Sequence, residues 1–215
     1  MKKGQITTVQ QFEDYSVVGP TKLHLQIPDS KKISDFIHDG FTFGANRYSA
    51  LYKGDIQSKK NLLVRISSNC QWSFYFDNQY CDCRWQLERS KTLIDAEGSG
   101  IIIFAHDQHG KGVGIEDHWK VYSEGQKRKL ELVVDSYIQL GYKEDYRTYD
   151  EIARILKHYQ LDNVRLLTNA PKRVNALKKC GLKVSRVKLE EPINSYLKEE
   201  YVTKKRKLGH LLSLE

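Results

Sequence analysis

Polar and apolar positions change their rhythm about a third of the way along the chain. Before that point the pattern is that of strands. Leu23, Leu25 and Ile27 alternate with polar neighbours, the period of two that sends successive side chains to opposite faces of a sheet. Gly19-Pro20 marks a turn ahead of them, and residues 1–18 read as a loosely tethered extension. Residues 33–37 are short and fit either element. Residues 41–52 are aromatic-rich between glycines and predict more strand. Residues 62–66 predict a buried strand after a loop carrying Gly54, Asp55, Ser58, Lys59 and Lys60. Alternation over 71–80 predicts one further strand or hairpin.

Beyond that stretch helices alternate with strands. Residues 84–97 have a helical pattern stopped by Gly98-Ser99-Gly100. An apolar strand follows at 101–105, then a glycine-rich loop at 106–114. Helices are predicted over 115–124 and 130–140, a polar link over 142–149, and an amphipathic helix over 150–159. Residues 164–167 read as a strand. Pro171 opens a helix, where its missing N–H costs nothing, and Gly181 caps it. Residues 184–189 are a last strand, and 195–215 are basic and polar. The expected fold is α/β, in a mixed α+β form: a β-rich N-terminal part followed by alternating strands and helices with parallel pairs. One domain is expected over 19–212 after an N-terminal extension.

Totals narrow the function class. No run of about 18 apolar residues is present, so no membrane partner is expected. The first residues, MKKGQITTVQQFEDY, carry no apolar core behind their lysines and do not read as a secretory leader. Four cysteines, three of them clustered, fit a reducing compartment, which points to the cytoplasm. The net charge of +8 would attract nucleic acid, membranes or phosphorylated small molecules. The lysines are spread rather than blocked, so no nucleic-acid partner is expected.

The chemistry concentrates in the stretch RISSNCQWSFYFDNQYCDCRWQLE, residues 65–88. Cys70, Cys81 and Cys83 could be ordinary buried thiols. They could also hold a zinc ion, since three thiolates at about 2.3 Å leave one tetrahedral corner open for water whose pKa falls toward about 7. A helix starting at the Cys-x-Cys pair would favour the thiolate form. His109-Gly110-Lys111-Gly112-Val113-Gly114 follows a strand and precedes a helix, so its backbone N–H groups could cradle phosphate with Lys111; a plain loop would use the same glycines. Thr168 to Arg173 also bridge a strand and a helix, as a phosphate site beyond a strand's carboxyl end or as a simple helix cap. Asp145 and Arg147, two residues apart, read by default as a solvated pair contributing about 0–1 kcal/mol. His106, His109 and His118 are weaker metal candidates beside the cysteines. Lys204-Lys205-Arg206-Lys207 matches a nucleic-acid signal, a reading set aside here as a chance basic run.

As an ordered set, these pieces resemble the GTP cyclohydrolase II family of riboflavin biosynthesis. The resemblance runs over about 19–212. Its motifs are Arg65-x-x-Ser68-x-Cys70, Cys81-Asp82-Cys83 with Gln86-Leu87-Glu88, Leu140-Gly141-Tyr142 with Asp145-x-Arg147, Leu166-Leu167-Thr168-Asn169 with Pro171-Lys172, and Thr203-Lys204-x-x-Lys207-x-Gly209-His210-Leu211-Leu212. It implies one zinc ion per subunit on Cys70, Cys81 and Cys83, magnesium with a triphosphate, and a homodimer. It implies opening of the imidazole ring of GTP with release of formate and pyrophosphate, leaving a 2,5-diamino-6-ribosylamino-pyrimidinone 5′-phosphate. Asp145, Arg147 and Tyr122 fall on catalytic positions, Arg147 as nucleophile toward the α-phosphate or as a clamp. Arg65, Ser68, Asn69, Gln86, His109, Gly110, Lys111, Thr168 and Arg173 fall on substrate-contact positions.

The departures lie in the recognition segments. Arg65-Ile66-Ser67-Ser68-Asn69-Cys70 stands where the family usually reads Arg-Val-His-Ser-Glu-Cys. Asp107-Gln108-His109-Gly110-Lys111 stands for Arg-Gln-Glu-Gly-Arg, Val133 for a threonine and Arg173 for a lysine. These changes leave two alternatives beside GTP hydrolysis: a homologue opening a different purine nucleotide or serving another pathway, and a non-catalytic nucleotide-binding protein.

Overall fold

The computed structural model describes residues 9–128, 133–190, 192 and 195–213, and among these an eight-stranded mixed sheet runs through the molecule. Strands β1 (Val9–Gln11), β2 (Ser16–Gln26), β3 (Ile33–Phe43) and β4 (Asn46–Lys53) form an antiparallel meander. Strands β5 (Leu62–Ser68), β6 (Gly100–Ala105), β7 (Asn163–Leu167) and β8 (Lys183–Val187) pair in parallel in the spatial order β6-β5-β7-β8. Antiparallel pairing of β4 with β6 joins the two halves. The two rhythms of the sequence are therefore two halves of one sheet.

The helices are α1 (Gln71–Phe74), α2 (Cys83–Glu97), α3 (Ile115–Lys127), α4 (Val133–Gln139), α5 (Asp150–His158), α6 (Pro171–Lys179) and α7 (Ser195–Leu208). Strand β5 shows how they layer. Leu62, Val64 and Ile66 pack on one face with Ile152, Ile155 and Leu156 of α5 and Leu177 of α6. Leu63 packs on the other face with Ile94 of α2, Ile102 and Leu167. A strand covered on both sides reads as a continuous apolar run, which is what residues 62–66 present. Arg65 alternates onto the α2 face.

From β5 the chain passes through α2 to β6 on one side, then through α5 to β7 on the other. Opposite directions of travel with helices on opposite faces keep both crossovers right-handed. The winding reverses at β5, and such a reversal leaves a crevice at the carboxyl ends of the strands.

Three local expectations change. Residues 9–18 are not a loose tether: Val9 pairs with Val18, and Val17 is buried. Phe12 and Tyr15 stack with centroids 4.5 Å apart and carry the segment back onto the core. Residues 71–80 form α1 and a turn rather than a strand or hairpin. Among the described residues no strand pairs with this segment, and Tyr75, Phe76 and Tyr80 are exposed. Residues 195–208, whose basic composition hides a helical pattern, form α7. Part of the helix expected over 130–140, and residues 1–8 of the expected extension, lie outside the described residues. No helix among those described is long and apolar enough to cross a membrane.

Candidate active site

The crevice at the end of β5 is a walled cavity, the concave form that small-molecule sites take. Its walls come from the ends of β5 and β7 and from the helices and loops around them. The end of β5 supplies Arg65, Ser68, Asn69 and Cys70, and the start of α2 supplies Cys83 and Gln86. The loop after β6 supplies Gly110 and Lys111, the end of β7 Thr168, and α6 Arg173.

The cysteine trio forms at the junction of two elements. Cys70 ends β5, and Cys81 and Cys83 straddle the start of α2. Ser73 of α1 binds both sides of that turn, donating to the Cys81 carbonyl (3.3 Å) and accepting from the Arg84 N–H (2.8 Å). All three Sγ atoms lie within 4.8 Å of one another, and those of Cys70 and Cys81 are 3.4 Å apart. Tetrahedral bonds of about 2.3 Å place sulfurs about 3.8 Å apart, so the trio fits a thiophilic ion with one position left over. All the cysteines are free thiols. Hydrogen bonds from Cys70 and Cys81 hold Cys83 well below the ordinary thiol range, with Lys204 and Arg65 adding to the effect.

Opposite the sulfurs the wall is cationic and under-satisfied. Arg65 Nε, Lys111 Nζ, Arg173 Nε and Ser68 Oγ are buried with no hydrogen-bond partner among the described residues. Leaving a buried polar atom unpaired costs about 1–3 kcal/mol, so four around one cavity mark a place shaped for an anionic ligand. The rest of each cation is fixed. Arg65 donates to the Leu167 carbonyl (3.0 Å) and to Gln86 Oε1 (2.5 Å), and Arg173 donates to the Ile66 carbonyl (3.2 Å). Lys111 Nζ sits 5.0 Å over the Tyr137 ring. Burial, with Arg147 and Lys204 nearby, draws its pKa down to about 8.

The glycines have a geometric use. Gly110 and Lys111 take positive φ (54° and 58°) in a short 3-10 turn. At Gly112 a Cβ would lie 3.0 Å from the Arg147 backbone nitrogen, so this loop packs directly on the Asp145–Arg147 link. The Tyr146 N–H donates to the Lys111 carbonyl (2.8 Å). That link is no solvated pair. Arg147 Nε and Nη2 grip Asp145 Oδ1 and Oδ2 at 2.9 and 2.5 Å, with both side chains largely buried. Burial opposes the Arg147 charge, but Tyr149 and Asp145 outweigh it and hold the guanidinium protonated. Tyr122 packs between Trp72 and His118, at 5.5 and 4.8 Å. Burial, with the Cys81 charge, raises its pKa well above the usual value, so its hydroxyl remains a donor.

Of the predicted residues, Cys70, Cys81, Cys83, Asp145, Arg147, Tyr122, Arg65, Ser68, Asn69, Gln86, Gly110, Lys111, Thr168 and Arg173 share this cavity. His109 lies behind its wall, buried, with Nε2 2.8 Å from His118 Nδ1. Burial lowers the pKa of both histidines, that of His118 to about 4, so the pair is neutral. Asp107 faces away and accepts from the Arg47 backbone N–H. The Gln86 amide is engaged at both ends, by Arg65 and by Asp82 Oδ2 (2.6 Å). The side chain of Val133 lies outside the described residues. Sequence reasoning missed the wall built by α7, including Tyr201, Lys204 and His210 just beyond it. The signal was present: Leu197, Tyr201, Lys204 and Leu208 fall at i, i+4, i+7 and i+11, one face of a helix.

A mixed α/β sheet with three cysteine sulfurs and a cationic crevice at its switch point defines a class of protein whose site could hold a metal ion beside an anionic ligand. Comparison with known proteins narrows the class. The profile of the family described as GTP cyclohydrolase II matches residues 31–188, and the chain belongs to that family. It is 38% identical over 167 residues to a GTP cyclohydrolase-2 of Archaeoglobus fulgidus, covering 76% of this chain and 42% of the relative. It is 38% identical over 166 residues to the riboflavin biosynthesis protein RibBA of Staphylococcus saprophyticus (74% and 39% covered). A RibBA of Staphylococcus epidermidis is 37% identical over 189 residues (85% and 46%). The chain spans less than half the length of these relatives.

Proposed function

We propose that this chain is a zinc-dependent hydrolase that opens the imidazole ring of GTP, releasing formate and pyrophosphate and leaving a diaminopyrimidinone ribosylamine 5′-phosphate. The observation that carries the proposal is the sharing of one cavity by a three-sulfur donor set and buried cations that each keep a donor unpaired among the described residues. Zinc on Cys70, Cys81 and Cys83 would supply Lewis acidity and activate water for attack at C8. Lys111, Arg65 and Arg173 would take the phosphate oxygens. Arg147, protonated and pinned by Asp145, suits a clamp on the α-phosphate better than a nucleophile, because a guanidinium must lose its proton to attack. Tyr122 would hold or donate a proton beside the opening ring. Four carboxylates on the wall are already paired with cations: Asp145 with Arg147, Glu144 with Lys172, and Asp82 and Glu200 with Lys204. Magnesium would therefore arrive with the triphosphate rather than on a protein cage.

The same pairing favours a second reading. Guanine presents adjacent N–H donors that a free carboxylate accepts well, and the carboxylates of this wall are spoken for. A different purine nucleotide is the alternative substrate. Purified protein incubated with GTP, dGTP, ATP and the monophosphates, with formate and pyrophosphate assayed, separates the two. Formate from GTP supports the first reading; formate from another nucleotide alone overturns it. On the active substrate, Arg147→Lys should lose at least about a hundredfold in kcat/KM, because a point charge cannot replace a planar fork. The exposed Lys205→Ala should lose none. Equal activity in the two variants would remove the clamp.

A further inference from the structure

Asp82 sits between the second and third cysteines, yet it does not cap the helix it opens. Its side chain is buried and turned instead toward α7. Oδ2 accepts from Tyr201 Oη (2.9 Å) and from Gln86 Nε2 (2.6 Å), and Oδ1 lies 3.5 Å from Lys204 Nζ. Tyr201 is fully buried, and the Lys204 side chain is only 18% exposed. Glu200, one turn back on α7, holds Lys204 from the other side at 3.5 Å. Gln86 passes the contact on, accepting from Arg65 at 2.5 Å. A buried carboxylate and a buried ammonium are stable only as a hydrogen-bonded pair. Residues more than a hundred positions apart are thus committed to one arrangement of the Cys81–Cys83 turn. Burial weighs against the Lys204 charge, but Asp82, Glu200 and the two cysteine sulfurs outweigh it and keep it a cation beside the thiolates.

We propose that Tyr201 and Lys204 are positioning residues of the metal centre: through Asp82 they fix the turn that presents Cys81 and Cys83, and through Gln86 the same anchor sets Arg65. This rests on the reading that the three cysteines hold zinc. Groups that orient metal ligands typically contribute 10- to 100-fold in metal affinity. Lys204 also supplies a positive charge against the excess negative charge that three thiolates leave on a divalent ion.

The test is zinc affinity of the full chain by chelator competition, with the visible spectrum of the cobalt(II) form as a second readout. Tyr201→Phe removes one oxygen and keeps the ring, so it preserves the fold even where Lys204→Met does not. Each variant should bind zinc about 10- to 100-fold more weakly than the unmodified chain and shift the cobalt d–d bands, with far-UV dichroism unchanged. In an Asp82→Ala background neither change should weaken zinc further, because the side chain that links α7 to the turn is already gone. Lys205→Ala should leave affinity and spectrum unaltered. If the unmodified chain binds one zinc and Tyr201→Phe and Lys204→Met bind it equally tightly, the positioning role is wrong while the metal reading stands. The role is also wrong if their effects persist in full on Asp82→Ala. An unmodified chain that takes up no zinc overturns both.

Discussion

Lys53, Ser34 and Asp95 close a polar cluster between β3, β4 and the end of α2, where Lys53 and Ser34 both donate to one carboxylate oxygen. Those hydrogen bonds hold the Asp95 pKa below its ordinary value against the opposing effect of burial. An unfolded Asp titrates near 3.9, so between that value and the folded one the unfolded chain binds the extra proton. The cluster's contribution is complete above about pH 4 and is lost as pH falls through the folded pKa. Asp95→Asn should therefore lower the urea midpoint at pH 7 and flatten its decline toward pH 3; parallel curves for the two proteins would rule the linkage out. Lys111 is the opposite case, a buried ammonium without a hydrogen-bond partner among the described residues. Burial places its pKa near 8, so its charge is present below pH 8 and fades above it. Pyrophosphate binding, measured by calorimetry, should weaken between pH 7 and 9 more steeply in the unmodified chain than in Lys111→Met. An identical pH dependence in both would show that Lys111 does not meet the phosphates.

At the scale of elements, the glycine loop after β6 sets where Lys111 and Arg147 stand relative to each other. Gly110 has φ of 54°, and a Cβ there would lie 2.6 Å from the His118 side chain. Gly110→Ala combines a left-handed backbone with a clash against a buried ring, and each costs on the order of 1–3 kcal/mol. It should lower the melting temperature and weaken pyrophosphate binding together; an unchanged melt would mean the loop yields freely. This loop also shows what a sequence can and cannot tell. Its glycines mark a turn between strand and helix, but the reason for Gly112 is a backbone approach to Tyr146 and Arg147 that no spacing reveals. Strands 62–66 and 101–105 were legible because burial on both faces leaves an apolar run, and α5 because Ile152, Ile155 and Leu156 form one stripe. The segment 71–80 misled because its alternating aromatics follow the period of a strand while forming a short helix and turn beside the cysteines. Helix α7 was obscured because Lys204, a charged residue, occupies a position on its buried face. Its partner Asp82 is more than a hundred residues away, and such pairings carry no local signature.

Across the whole molecule the proposed metal site and the sheet are separable. The two large cores, one around Val64, Ile103 and Ile152 and the other around Leu63, Ile94 and Ile102, include none of Cys70, Cys81 or Cys83. The sulfurs instead tie the end of β5 to the start of α2 at the rim. In small zinc modules the binding free energy of the metal is the folding free energy, and stripping the ion unfolds them. Here hydrophobic burial on both faces of the central strands should hold the fold without it. Removing zinc with a chelator should leave far-UV dichroism nearly intact. It should open the segment 71–83, already carrying the exposed Tyr75, Phe76 and Tyr80, to protease cleavage and thiol labelling. Zinc stabilises the native state in proportion to its differential affinity for it, so the melting temperature should fall on chelation and recover on adding zinc back. Cleavage confined to that segment, followed by mass spectrometry, would place the metal at the rim. Global unfolding on chelation would show that the sheet depends on the ion after all, and the division between scaffold and site drawn from the two cores would be wrong.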